Sequence, residues 1–218
     1  MKKLVFLTLA LVVAASTVAV AGTHIVGGTY NSENTIPFWA ASSYYPQMRF
    51  QCLWRQTEIN EDGPVSKIEW LAYTTTMYGG TFNGCRILLC HCRLPTLTAT
   101  YATNYTGNTP VVLYSGNYVA PKPAPGTWAT IVEPTTTLNY NNIHNLLMEV
   151  SWTSAYRPGD RNYYRCRTSG GVGGRVYANS ATATTGMLHA NYAQYARLTI
   201  GYVGVAPTSL GRVKSIFK

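Results

Sequence analysis

The stretch YNNIHNLLMEVSW, Tyr140 to Trp152, sets a turn against a strand. Asparagine-rich YNNIHN is turn chemistry, because short amide side chains bond their own backbone and tolerate left-handed conformations. The block that follows, Leu146 to Trp152, is too short for a stable helix and ends in β-branched and aromatic residues, so it reads as a strand. Its single carboxylate, Glu149, shares a face with Leu147 and Ser151, the face that a half-buried strand turns to solvent.

Working outward, the same reading recurs. Strands are expected at Tyr44 to Trp54, Val65 to Tyr73, Cys85 to Cys92, Val111 to Tyr114, Trp128 to Val132, Tyr163 to Arg167, Arg175 to Ala178 and Ala193 to Tyr202. NEDGP, YGGTFNG, KPAPG, YRPGD and SGGVGG separate them with Gly, Pro, Asn and Asp chemistry. Only PTLTATYATNY, residues 95 to 105, suggests a short helix. Eight or nine strands with no strand–helix alternation predict an all-β fold, an antiparallel jelly-roll-like β-sandwich preceded by an extended N-terminal segment.

Charged residues make up only 11% of the 218-residue chain, against roughly a quarter in ordinary globular proteins, with a formal net charge of +9. Solubility therefore rests on Thr, Ser, Asn, Tyr and Gly, a balance that suits an exported β-protein and a surface able to pack against its own copies. Residues 1 to 21 read as a signal peptide: a short basic start, an apolar run from Leu4 to Ala15, and Ala19-Val20-Ala21 as the small-x-small site for cleavage. The expectation is a secreted, extracellular or cell-surface protein, with no membrane partner once the leader is removed.

HIVGGTYNSENTIPF, residues 24 to 38, imitates the activated terminus of a trypsin-type protease, but the likeness covers four residues. Neither Asp62 nor Asp160 flanks a nucleophilic serine, Ser169 lacks a preceding Gly-Asp, and no histidine has the context of a catalytic base. Six glutamates and two aspartates likewise give few pairs for glycoside hydrolysis. No enzyme activity and no cofactor are expected.

SKIEW (66–70), CRILLCH (85–91), YNNIHNLLMEVSW (140–152), SATATTG (180–186) and YARLTIGY (195–202) together resemble a β-sandwich module that recurs in secreted, mostly uncharacterised bacterial proteins. That resemblance implies fold and compartment, and no settled activity. On its boundaries the sandwich spans 44–203. Residues 22–43 form an N-terminal extended segment and residues 204–218 a basic C-terminal tail suited to sorting, assembly or fraying.

Segment 22–43 carries the main functional expectation. Thr23, His24, Ile25 and Val26 form a β-capable piece before a Gly-Gly hinge, and Ile36 and Phe38 follow a polar stretch. Such a segment serves either as a first strand of its own domain or as an arm that completes a neighbour's sheet edge, so that repetition builds a filament. The expected partner is the chain itself, and the resemblance here is to subunits of donor-strand-complemented extracellular fibres.

The alternative is a carbohydrate-binding or adhesive module. YRPGDRNYYRCR concentrates charge, and strand alternation places Tyr163, Arg165 and Arg167 on one face, opposite Tyr164 and Cys166. Such a stripe, with exposed tryptophans, suits surface glycans, and no recognition fold for specific nucleic acid accompanies it. Cys52, Cys85, Cys90, Cys92 and Cys166 are disulfide candidates or buried thiols, an odd count in an oxidising compartment. A metal site in CRILLCHC is disfavoured, since His91 points away from Cys90 and Cys92. Asn104 in Asn-Tyr-Thr is the one glycosylation sequon.

Overall fold

The computed structural model describes residues 21–39, 45–74, 77–156, 162–168 and 173–201. The expected signal peptide, except Ala21, and the C-terminal tail lie outside the described residues. No helix among the described residues is long and apolar enough to cross a membrane.

The strands are β1 (Gly22–Val26), β2 (Ser32–Asn34), β3 (Met48–Trp54), β4 (Gly63–Leu71), β5 (Thr81–Cys92), β6 (Val111–Val119), β7 (Trp128–Val132), β8 (Asn139–Tyr140), β9 (Asn145–Trp152), β10 (Ser154–Tyr156), β11 (Tyr164–Arg167), β12 (Arg175–Ala178), β13 (Met187–His189), β14 (Ala193–Gln194) and β15 (Ala196–Ile200). Helix is confined to single turns, α1 (Gln56–Ile59) and α2 (Tyr101–Asn104), the second inside the stretch expected to be helical.

The front sheet runs β1-β15-β4-β7 and the back sheet β6-β5-β9-β3-β12-β13, all antiparallel. Taken in chain order, β1, β3, β4, β5, β6, β7, β9 and β15 fall as first, eighth, third and sixth in front, and fifth, fourth, seventh and second behind. This is the strand order of a jelly roll, which the sequence predicts. β12 and β13 widen the back sheet beyond β3, and β10 continues the line of β9 along β5 after a break at Thr153. A small third sheet, β14-β11-β2, lies beside them.

The strand segments outnumber the expected eight or nine mainly because β1, β2, β8, β10 and β13 form outside the expected strands, and one expected run is broken in two. The run from Ala193 splits at Tyr195 into β14 and β15, and the β4–β7 register shifts between Ile68 and Glu69.

The core fills the space between the two main sheets. Phe38, Phe50, Trp70, Phe82, Trp152 and Tyr164 are all buried there. A second apolar layer, with Leu53, Cys90, Cys92, Leu147 and Val176 packed under Leu97 and Tyr101, covers the outer face of the back sheet. Burial on both faces explains why LLMEV and ILLC read as continuous apolar blocks rather than alternating ones.

The sandwich boundary expected at residue 44 moves to the start of β1. Gly22–Val26 is the first strand of the jelly roll, paired with Ala196–Ile200 of the same chain. Ile36 and Phe38 complete the core, with Phe38 within 5.0–6.3 Å of the Tyr118, Phe82, Trp70 and Tyr164 rings. The turn leaving β1 uses Gly27 at φ 89°, where a Cβ would fall 2.4 Å from the Gln194 carbonyl oxygen. Only glycine fits both the angle and the approach.

Candidate functional site: an arginine–aromatic ladder

On the outer face of the front sheet, alternation turns Arg197 outward while Ala196, Leu198 and Ile200 enter the core. In the same way β4 presents Lys67 and β7 presents Trp128, and Glu69 lies beside Arg197 in the paired register. β11 lies alongside with Arg165 outward, Tyr164 and Cys166 being buried.

These side chains meet in one line. The Arg165 guanidinium lies 4.3 Å from the Tyr73 ring centre and 4.5 Å from that of Tyr30. Tyr30 meets Tyr195 edge-on at 5.0 Å, Tyr195 stacks on Trp128 at 5.5 Å, and Arg197 sits 4.8 Å over Trp128. Tyr30 is 37% exposed, and Tyr73, Arg165, Trp128, Tyr195 and Arg197 are half-buried, so the line is open to solvent along its length.

Glu69, only 5% exposed, accepts a 2.7 Å hydrogen bond from Arg197 Nε and pairs with Lys67 Nζ at 3.2 Å. The Arg197 hydrogen bond above all holds its carboxyl below the usual glutamate range, so it stays ionised. Arg165 Nε is buried with no hydrogen-bond partner. Burial, with help from Tyr30, pushes the Tyr195 phenol up, which keeps it a neutral O–H donor.

The predicted glycan stripe therefore contributes Arg165 to the ladder. Arg167 shares its face, packing over Gly28 at the hinge, and half-buried Tyr163 receives the Tyr73 backbone N–H on its carbonyl at 2.9 Å. Of the tryptophans, Trp54, Trp70 and Trp152 are fully buried, leaving Trp128 and Trp39 partly accessible. Sequence reasoning missed Tyr30, Tyr73, Trp128, Tyr195 and Arg197, which come from four separate stretches. Outward parity on β7 and β15 was the one available signal.

Of the assembly residues, Thr23 and Ile25 face solvent on β1, Ile25 being 54% exposed. His24 pairs with Glu61 at 2.6 Å, and Val26, Ile36 and Phe38 are buried in the chain's own core.

Two expectations are corrected, those for Asn104 and Glu149, while of the two readings of the cysteines the structure has the buried thiol. The five cysteines are all free and buried. The ladders set each of those in the main sheets opposite a non-cysteine, with Cys52 against Met148 and Arg175, Cys85 against Gly116, Cys90 against Leu147 and Cys92 against Asn145, while Cys166 faces Gln194 and Ser32. Asn104 is fully buried, its amide donating to Gln51 Oε1 at 2.9 Å and to the Thr98 carbonyl at 3.0 Å, which leaves no room for a glycan in the folded state. Glu149, expected at a solvent face, is 4% exposed beneath the loop that carries α2.

A second arginine cluster is more enclosed. Arg175, 4% exposed, lies 3.6 Å from the Tyr192 ring centre, beside a surface groove of about 350 Å³ lined by Tyr45, Tyr177, Ala178, Asn179, Gly186 and Met187. Among the described residues no group of three or more His, Cys, Asp or Glu gathers into a metal site. No family model, curated protein or solved structure matches the chain.

Proposed function

We propose that this protein is an exported, non-enzymatic β-sandwich that binds an extended surface glycan along the outer face of its front sheet. The supporting observation is the unbroken line Tyr73, Arg165, Tyr30, Tyr195, Trp128 and Arg197, accessible along its length on a rigid antiparallel scaffold. Guanidinium and phenol groups along the line donate hydrogen bonds to sugar oxygens, and the rings between them hold those donors in place and add apolar contact where they are accessible. A flat sheet face accommodates a polymer better than a small molecule, which needs a concave pocket. Affinity electrophoresis through gels containing soluble polysaccharides tests this reading. Retardation that weakens roughly tenfold in Trp128→Ala and Tyr30→Ala supports it, and no retardation by any polysaccharide ends it.

A second reading, self-assembly, is favoured by β1. It is the outermost strand of its sheet and joins the fold through Gly27 and Gly28, both with positive φ. An edge strand on such a hinge is suited to exchange between copies, each supplying the first strand of the next. Thr23 and Thr199 lie opposite each other, so Thr23→Cys with Thr199→Cys ties β1 to its own sheet. Fibres or large oligomers seen by electron microscopy and lost on tying establish exchange. Monomers at every concentration sink it.

A further inference from the structure

The geometry points to a polyanionic glycan as the ligand of the ladder, an inference that rests on the glycan-binding reading above.

Ring orientation carries the first half of the argument. A neutral sugar is held by an open aromatic face lying against its C–H surface. Here each ring of the row has a face engaged by a neighbour, except that Tyr30 and Tyr195 meet edge-on at 67°. Tyr195 and Trp128 are stacked at an interplanar angle of 27°, Arg197 covers Trp128, and Arg165 lies against both Tyr30 and Tyr73. A guanidinium laid against a ring keeps its N–H groups in its own plane, free for a partner beside the ring. Edges of guanidinium groups are N–H donors and edges of tyrosines carry O–H, so the line offers a ligand donors more than apolar planes.

Charge carries the second half. Among the described residues, the outer-face cations are Lys67, Arg165, Arg167 and Arg197, and the carboxylates sharing that face include Glu33, opposite Arg165 in the ladder register, and Glu69. Four cations against these two carboxylates leave a positive excess. Glu69 is already engaged by Arg197 and Lys67, so it neutralises that end of the line rather than repelling a ligand. Arg165 differs, since its contacts with the Tyr30 and Tyr73 rings fix the orientation of the guanidinium, and with Nε buried it is the two Nη groups that a ligand would meet. A carboxylate or sulfate on a sugar gives such a group the charge-assisted, two-pronged partner that a hydroxyl cannot. Arg165 and Arg197 lie towards the two ends of the row with three aromatic rings between them, which favours a repeating polyanion over an isolated acidic sugar.

Full-chain protein is titrated with polygalacturonate and, separately, with its fully methyl-esterified form, which keeps the backbone and removes the charge. Expected is binding to polygalacturonate that weakens at least roughly tenfold from about 0.01 M to about 0.15 M salt, with little binding to the ester. Arg165→Gln and Arg197→Gln each weaken it roughly tenfold, while Arg165→Lys retains more affinity than Arg165→Gln. Thermal melts of each variant separate lost binding from lost fold, and the two arginines lie on different strands, so failure of one variant to fold leaves the other to decide.

Equal, salt-insensitive binding to both polymers overturns the anionic class and leaves glycan binding standing. Binding to neither, and to no sulfated or neutral polysaccharide, overturns both. Tighter binding to single-stranded DNA than to any polysaccharide overturns the inference in favour of nucleic acid.

Discussion

Arg49 reaches diagonally across the back sheet to Glu149, its Nε 3.1 Å from Oε1 and an Nη 3.2 Å from Oε2. Around the pair, Gln51 Nε2 and the Tyr105 hydroxyl each donate to Glu149 Oε2 at 2.6 Å, Arg49 donates to the Ala183 carbonyl, and the Tyr101 hydroxyl donates to the Arg49 carbonyl. The network pins the loop carrying α2 onto a sheet face that would otherwise be wet. Each strong partner is satisfied, so the cluster serves as a clamp.

Breaking one half of the clamp leaves a buried charge unpaired. Glu149→Ala therefore lowers stability by about 3 kcal/mol in urea denaturation, whereas replacing Arg49 and Glu149 together with apolar residues of similar volume costs less than the sum of the single changes. Equal and additive losses would mean that the two do not act as a pair.

Phe38 plugs the core between four aromatic rings although it lies outside the module boundary the sequence suggests. Phe38→Ala costs about 3–5 kcal/mol, and a chain beginning at Tyr44 fails to give a cooperative melt. A stable fold from residue 44 onward would remove the N-terminal segment from the jelly roll.

The five thiols are buried and free, and burial pushes those of Cys85 and Cys90 up to about 12. Native protein accordingly shows little reaction with a thiol reagent at neutral pH, and all five react in guanidinium. Rapid native labelling, or fewer than five thiols after unfolding, would refute this arrangement.

His91 accepts the Asn141 backbone N–H on Nε2 at 3.2 Å, which requires a neutral ring there. Burial first, and the neighbouring His144 second, depress its pKa below the ordinary 6.5. With the folded pKa lowered, the unfolded chain binds the proton more readily, so this site erodes stability as pH falls below 6.5 towards the folded value. His91→Gln shrinks that loss, which denaturation midpoints at pH 7.5 and 5.5 measure.

Glu69 gives the complementary acid response. Its folded pKa is lowered, chiefly by Arg197, so its contribution is present above the unfolded glutamate range and lost as pH falls through the folded value. The stability gap between the native chain and Glu69→Gln is therefore present at pH 7 and closes in strongly acid solution. A gap unchanged down to pH 2 would remove the ion pair as its cause.

The sequence by itself determined the class of fold and much of its layout. Short β-branched and aromatic blocks separated by Gly, Pro and Asn turns favour strands, and Trp128–Val132 and Arg175–Ala178 begin and end where the pattern places them. Side-chain parity, a property of two adjacent residues, also put Arg165 and Arg167 on one face and Tyr164 and Cys166 on the other. Tertiary structure alone decided everything that depends on distant chain segments meeting. Glu149 reads as a solvent-facing carboxylate until the loop of Tyr101 and Tyr105 folds over it, and Asn104 reads as a sequon until Gln51 takes its amide. β1 reads equally as a first strand or as an arm until its partner, Ala196–Ile200, arrives from the far end of the described chain. The ladder needs Tyr30, Tyr73, Trp128, Arg165, Tyr195 and Arg197 side by side, and only the jelly-roll crossovers, which make neighbours of strands far apart in sequence, bring them there.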